Sequence, residues 1–202
     1  MCGRYSFAPD LKIVNQHYDI KVNDGDFSQN TNCSPTQVLP VLTNEAPQQL
    51  SFFRWGLIPY WAKDMSIGSK LINARAETIL EKPSFKQSFK RRRCLVPADG
   101  FYEWKANLTD KKKTPYRIFL KKQPIFSMAG IWDIWKSPTG EKVHTFSIIT
   151  TSPNEMMAEI HNRMPVILSK EMEKFWLEAA NEKDLLEVLQ PFPAHEMDYV
   201  KV

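Results

Sequence analysis

The chain has 202 residues, 43% hydrophobic and 25% charged, with a formal net charge of +4, which suits one soluble domain with a substantial core. No run approaches the ~18 apolar residues that a membrane span needs, and charges break the opening segment, so neither an anchor nor a signal sequence is expected. The mild basicity fits an anionic partner or simply a basic surface.

In chain order, DLKIVNQHY after Pro9 places Leu11, Val14 and Tyr18 on one helical face. LSFFRWGLIP reads as a strand and its exit. NARAETIL has helix-forming composition with Asn73 as a candidate cap, and after Pro83 the stretch SFKQSFKRRR reads as a second short helix. YRIFL, PIFSMAGIWDIW, VHTFSIITTS and MPVILS are rich in β-branched and aromatic residues and predict strands. Between the last two lies SPNEMMAEIH, where Ser152 is a candidate cap and Pro153 a first-turn residue. KEMEKFWLEA and NEKDLLEVLQ predict amphipathic surface helices. Strands and helices do not alternate, so the expected class is α+β. We expect a single domain over residues 1–202, with a mixed, mainly antiparallel, barrel-like sheet flanked by short helices.

Three cysteines, Cys2, Cys33 and Cys94, lie far apart, with no C-x-x-C pair and no cysteine–histidine ligand spacing. Neither a zinc site nor a disulfide framework is expected, and no metal or cofactor is implied. The thiols point to the reducing cytoplasm.

Chemistry concentrates in MCGRY, LINARAE, ADGFYEW and EIHNRMP. If Met1 is removed, Cys2 carries a free α-amine beside its thiol, and both can add to one aldehyde carbon to close a thiazolidine ring. Glu103, among Phe101, Tyr102 and Trp104, is either a water-facing strand residue or an inward carboxylate suited to proton transfer. Taken singly, His161 fits a packed residue or an acid–base group. Asn73 fits a cap, and Arg75 and Arg163 fit surface cations.

Together, in this order, the segments resemble the SOS-response-associated peptidase family. The resemblance runs from MCGRY through FRWGLIPYW, LINARAET and RRCLVPADGFYEWK to IHNRMPVIL. It implies action on abasic sites in single-stranded DNA. Cys2 would be the nucleophile that forms a thiazolidine crosslink, and Asn73, Glu103 and His161 the remaining active-site positions. Self-processing peptidase and weak lyase activities are further expectations. Where the family commonly has aspartate after the histidine, this chain has Asn162.

In that setting Arg4, Arg75 and Arg163 are candidate phosphate ligands and Trp61 a base-stacking ring, whereas Trp55 and Trp104 are expected in the core. Lys90–Arg93 reads as a solvated basic face or an extension of the phosphate track, and Lys111–Lys113 as an exposed turn. The expected partner is single-stranded DNA carrying abasic sites, with no metal and no membrane, and the expected state a monomer. The reading requires Cys2 to face Glu103 and His161 in a groove open to solvent. An N-terminal-nucleophile cysteine peptidase or amidohydrolase is the rival from another class, and a non-enzymatic single-strand binder is a third option.

Overall fold

A computed structural model describes residues 2–23, 25–107 and 112–202. The chain opens with β1 (Tyr5–Phe7) and α1 (Leu11–Tyr18), whose cap Asp10 accepts from the Lys12 amide at 2.7 Å. Then come β2 (Asn30–Cys33), β3 (Val38–Thr43), β4 (Ala46–Trp55), a 3-10 turn (Met65–Lys70) and β5 (Asn73–Arg75). A second 3-10 turn (Ala76–Thr78) precedes α2 (Pro83–Arg91), β6 (Arg93–Ala98), β7 (Gly100–Ala106) and β8 (Lys113–Leu120). The long strands β9 (Phe126–Lys136) and β10 (Lys142–Thr151) follow, then α3 (Glu155–Ala158), β11 (Met164–Pro165) and β12 (Ile167–Leu168). The chain finishes with α4 (Lys170–Glu178), α5 (Glu182–Glu187) and β13 (Met197–Lys201).

Five strands close a barrel. β4, β3, β6, β9 and β10 pair antiparallel in that order, and β10 returns to β4 in parallel. Closure removes the exposed edges that an open sheet of such apolar strands would present. Beside the barrel lies an antiparallel sheet, ordered β13-β8-β7-β1-β2. Tyr5, Phe7, Phe101, Trp55 and Phe146 belong to one buried cluster that joins the two sheets. The expected α+β class, with a mainly antiparallel barrel and short helices, is the observed one. Among the described residues no helix is long and apolar enough to cross a membrane.

Several local expectations need correction. NARAETIL is not a helix: Asn73–Arg75 is a short strand parallel to β10, followed by the 3-10 turn at Ala76–Thr78. Backbone pairing with a buried strand here outweighs helix-forming composition. Ser152 does not cap α3; Asn154 does, its Oδ1 accepting from the Met157 amide at 2.8 Å. Lys90–Arg93 is not simply a basic face. Lys90 pairs with Glu182 at 2.6 Å and Arg92 with buried Asp133, while Arg93 is buried and Arg91 is exposed with no ion pair among the described residues. Of Lys111–Lys113, Lys111 lies outside the described residues and Lys113 opens β8.

Candidate active site

The position of Cys2 follows from how β1 is held. β1 pairs with β7 in the register Tyr5↔Phe101 and Ser6↔Gly100, and the Tyr102 amide donates to the Arg4 carbonyl at 2.9 Å. Extending that register by two residues sets Gly3 opposite Glu103. Asp99 locks it: its carboxylate accepts from the Ser6 hydroxyl, from the Ala8 amide at 2.8 Å and from Arg117 Nη2 at 3.0 Å. A Cβ on Gly100 would stand 2.8 Å from the Arg117 guanidinium, so any larger residue there would push Arg117 off its bonds to Asp99. Asp99, Gly100 and Arg117 were not singled out from the sequence. The DG pair inside ADGFYEW was the available signal, since it marks a tight backbone approach.

Cys2 itself is fully buried, which corrects the expectation of a residue lying open in a groove; the cluster meets solvent instead through His161, whose side chain is 26% exposed. In this chain its nitrogen is still a peptide amide, and its carbonyl accepts from Asn73 Nδ2 at 2.9 Å. Burial pushes the thiol well above the usual cysteine range, and the nearby Glu103 carboxylate pushes it further. The thiol is therefore protonated at neutral pH.

Glu103 points inward and is 2% exposed, so it is not a water-facing strand residue. Its Oε2 lies 3.9 Å from His161 Nε2. The Arg163 amide donates to His161 Nδ1 at 3.1 Å, so in the neutral ring the proton sits on Nε2, on the Glu103 side. Asn73 arrives on β5, hydrogen-bonded alongside β10. His161 arrives from the end of α3, its amide bonded to the Met157 carbonyl at 2.8 Å. The four proposed catalytic residues thus come from four separate parts of the chain onto one locus.

The proposed DNA ligands divide. Arg4 is exposed and lies over the Trp104 ring at 5.4 Å, and Trp104 is half-buried rather than a core residue. Arg75 is exposed on the same strand face as Asn73. Trp61 is 48% exposed beside Tyr60, on a segment fastened from below: the Tyr60 amide donates to Asp133 at 3.1 Å and Trp135 Nε1 to the Ala62 carbonyl at 2.8 Å. Trp55 is in the core, as expected. Arg163 is already occupied. Its guanidinium grips Glu77 through two bonds of 2.6 and 3.0 Å and donates to the Thr150 carbonyl at 2.6 Å. The side chain that holds it, Glu77, was also missed from sequence.

The three cysteines are free, and among the described residues no cluster of histidine, cysteine or carboxylate side chains forms a metal site.

The family model described as SOS response associated peptidase (SRAP) matches residues 1–202. The abasic site processing protein YoqW of Bacillus subtilis is 44% identical over 207 residues, covering 100% of this chain and 92% of its own. The abasic site processing protein HMCES of Rattus norvegicus is 33% identical, covering 79% of this chain and 57% of its own. A crystal structure of a Bacteroides thetaiotaomicron protein, 34% identical, superposes with a TM-score of 0.91 and covers 100% of this chain and 92% of that one. On the extent of these matches, the chain belongs to the SRAP family.

Proposed function

We propose that this protein recognises abasic sites in single-stranded DNA and, once Met1 is removed, captures them as a covalent thiazolidine through Cys2. The observation that carries the reading is the convergence of Asn73, Glu103 and His161 on Cys2, with Asn73 bonded to the Cys2 carbonyl and Glu103 facing His161. The relatives named as abasic site processing proteins support the substrate.

An abasic sugar is mostly a closed hemiacetal. His161 Nε2–H gives a proton to the ring oxygen as that carbon–oxygen bond breaks, while the hydroxyl proton on the same carbon passes to Glu103 and back to His161, so the aldehyde is released with no net proton gained. The freed α-amine of Cys2, with an ordinary pKa of about 8, adds to that carbon. Glu103 takes a proton from the nitrogen and relays it to the departing hydroxyl, so one water leaves and an imine remains. The thiol then adds to the imine carbon, its proton passing to Glu103 and on to the nitrogen. A buried, protonated thiol fits this order, in which the amine acts first and the sulfur closes an intramolecular ring.

Excision of Met1 is required, by a cellular aminopeptidase or by the site itself. Strand cleavage by β-elimination is a side reaction of the imine that ring closure suppresses.

The test uses uracil-containing single-stranded oligonucleotide treated with glycosylase, resolved on a denaturing gel. Wild-type protein forms a heat-stable adduct. Cys2→Ala, which still permits methionine removal, gives a borohydride-trappable imine and nicked DNA instead. An undiminished heat-stable adduct from Cys2→Ala rejects the thiazolidine.

A further inference from the structure

We infer that Glu77 is an internal counter-anion for the arginines of the DNA face, and that a backbone phosphate of the incoming strand displaces it from Arg163. The inference rests on the single-stranded DNA reading above and concerns how that strand is admitted.

Arg163 sits at the junction of the site. Its amide fixes the His161 ring, and its guanidinium is held against β10 by Thr150, through the carbonyl at 2.6 Å and Oγ1 at 3.3 Å. Those bonds come from inside the fold. The remaining partner comes from outside: Glu77, on the short 3-10 turn after β5, caps the guanidinium bidentately. The Arg163 side chain is only 12% exposed, while that of Glu77 is 50% exposed. The carboxylate is therefore the lid on an otherwise enclosed cation.

Bidentate capture is the geometry a guanidinium also offers to phosphate, with two parallel N–H donors matched to two oxygens. Arg163 Nε is moreover buried without a hydrogen-bond partner among the described residues, so the carboxylate leaves the fork incompletely satisfied. Glu77 also lies within the field of Arg75, which is exposed on the Asn73 face of β5. One carboxylate thus stands between two cations. The Arg163 hydrogen bond, outweighing partial burial, holds Glu77 below the usual carboxylate range, so it is charged at neutral pH. Because Glu77 is on a surface turn and Arg163 is anchored by Thr150, the carboxylate can swing away without moving the guanidinium. Phosphate then replaces carboxylate at Arg163 while Arg75 retains its charge for a neighbouring phosphate.

Intact oligothymidylate, which cannot crosslink, isolates this step. Its dissociation constant is measured by fluorescence anisotropy across a potassium chloride series for wild type, Glu77→Gln and Glu77→Asp. Removing the competing charge adds about one phosphate contact's worth of counterion release, so Glu77→Gln steepens the log–log salt slope by about 0.7 and tightens binding about fourfold near ~0.15 M salt. Glu77→Asp keeps a carboxylate and holds the wild-type slope. An unchanged slope with weaker binding in Glu77→Gln overturns the inference and makes Glu77 a structural brace. Equal steepening in Glu77→Asp overturns it as well. A flat salt response in the wild type instead overturns the single-stranded DNA reading and the inference with it.

Discussion

Asn73 uses its two polar ends differently. Nδ2 donates to the Cys2 carbonyl, while Oδ1 is buried with no partner among the described residues. A buried acceptor left open beside the site is suited to receive a donor from the freed amine or the opened sugar. Asn73→Asp keeps the shape but turns the donor into a second oxygen facing the Cys2 carbonyl. Losing that bond, worth about 1.4 kcal/mol, slows adduct formation by about tenfold or more in single-turnover gels. The residues proposed to carry the chemistry stood out in the sequence because they fall together in four separated motifs, and the fold brings those motifs to one locus. What those motifs did not reveal was satisfaction. Arg163 reads as a free cation in EIHNRMP, yet its partner Glu77 lies 86 positions away, and no local pattern announces such a pair.

Arg93 shows the same gap between elements. Within KRRR it looks like one more surface charge, but its guanidinium donates to five carbonyls: Phe89 and Lys90 at the end of α2, and Trp176, Leu177 and Ala179 at the end of α4. It joins two helix C-termini whose carbonyls lack intrahelical partners. Arg93→Met should cost about 3–5 kcal/mol in urea denaturation, because the carbonyls it leaves are buried. The long elements were readable from their patterns: α1 from its apolar spacing, β9 and β10 from runs of β-branched and aromatic residues. β5 was not. Three residues carry too little periodicity to compete with helix-forming composition, and their strand state is imposed by Ile148 to Thr150 on β10.

At the scale of the molecule, the α+β class was legible from the absence of strand–helix alternation, whereas the closure was not. The parallel contact of β10 with β4 that seals the barrel joins segments roughly ninety residues apart and has no sequence signature. Glu173 fastens the first third of the chain to the last. Buried on α4, its carboxylate accepts from His17 of α1 at 2.8 Å, from Ser127 of β9 at 2.6 Å and from Lys170 at 2.9 Å. Burial alone would raise its pKa, but the donors from His17, Ser127 and Lys170 bring it below the ordinary carboxylate value. The folded form therefore holds this proton less readily than the unfolded chain does. Its contribution is complete above the unfolded value of about 4.3 and fades as pH falls through the lower folded one. Glu173→Gln should cost about 1–3 kcal/mol at pH 7, and the gap to wild type in thermal melts should shrink below about pH 4.

The burial of Cys2 has a consequence for biosynthesis. Its neighbours Asn73 and Glu103 leave the ribosome long after Cys2 itself. At ~5–20 residues per second, roughly 5–20 s separate translation of Cys2 from that of Glu103. During that interval the nascent leading end is unfolded and accessible; once β7 seats against β1, Cys2 is enclosed. On the proposed function, a cellular aminopeptidase that frees Cys2 therefore races the folding of the chain it acts on.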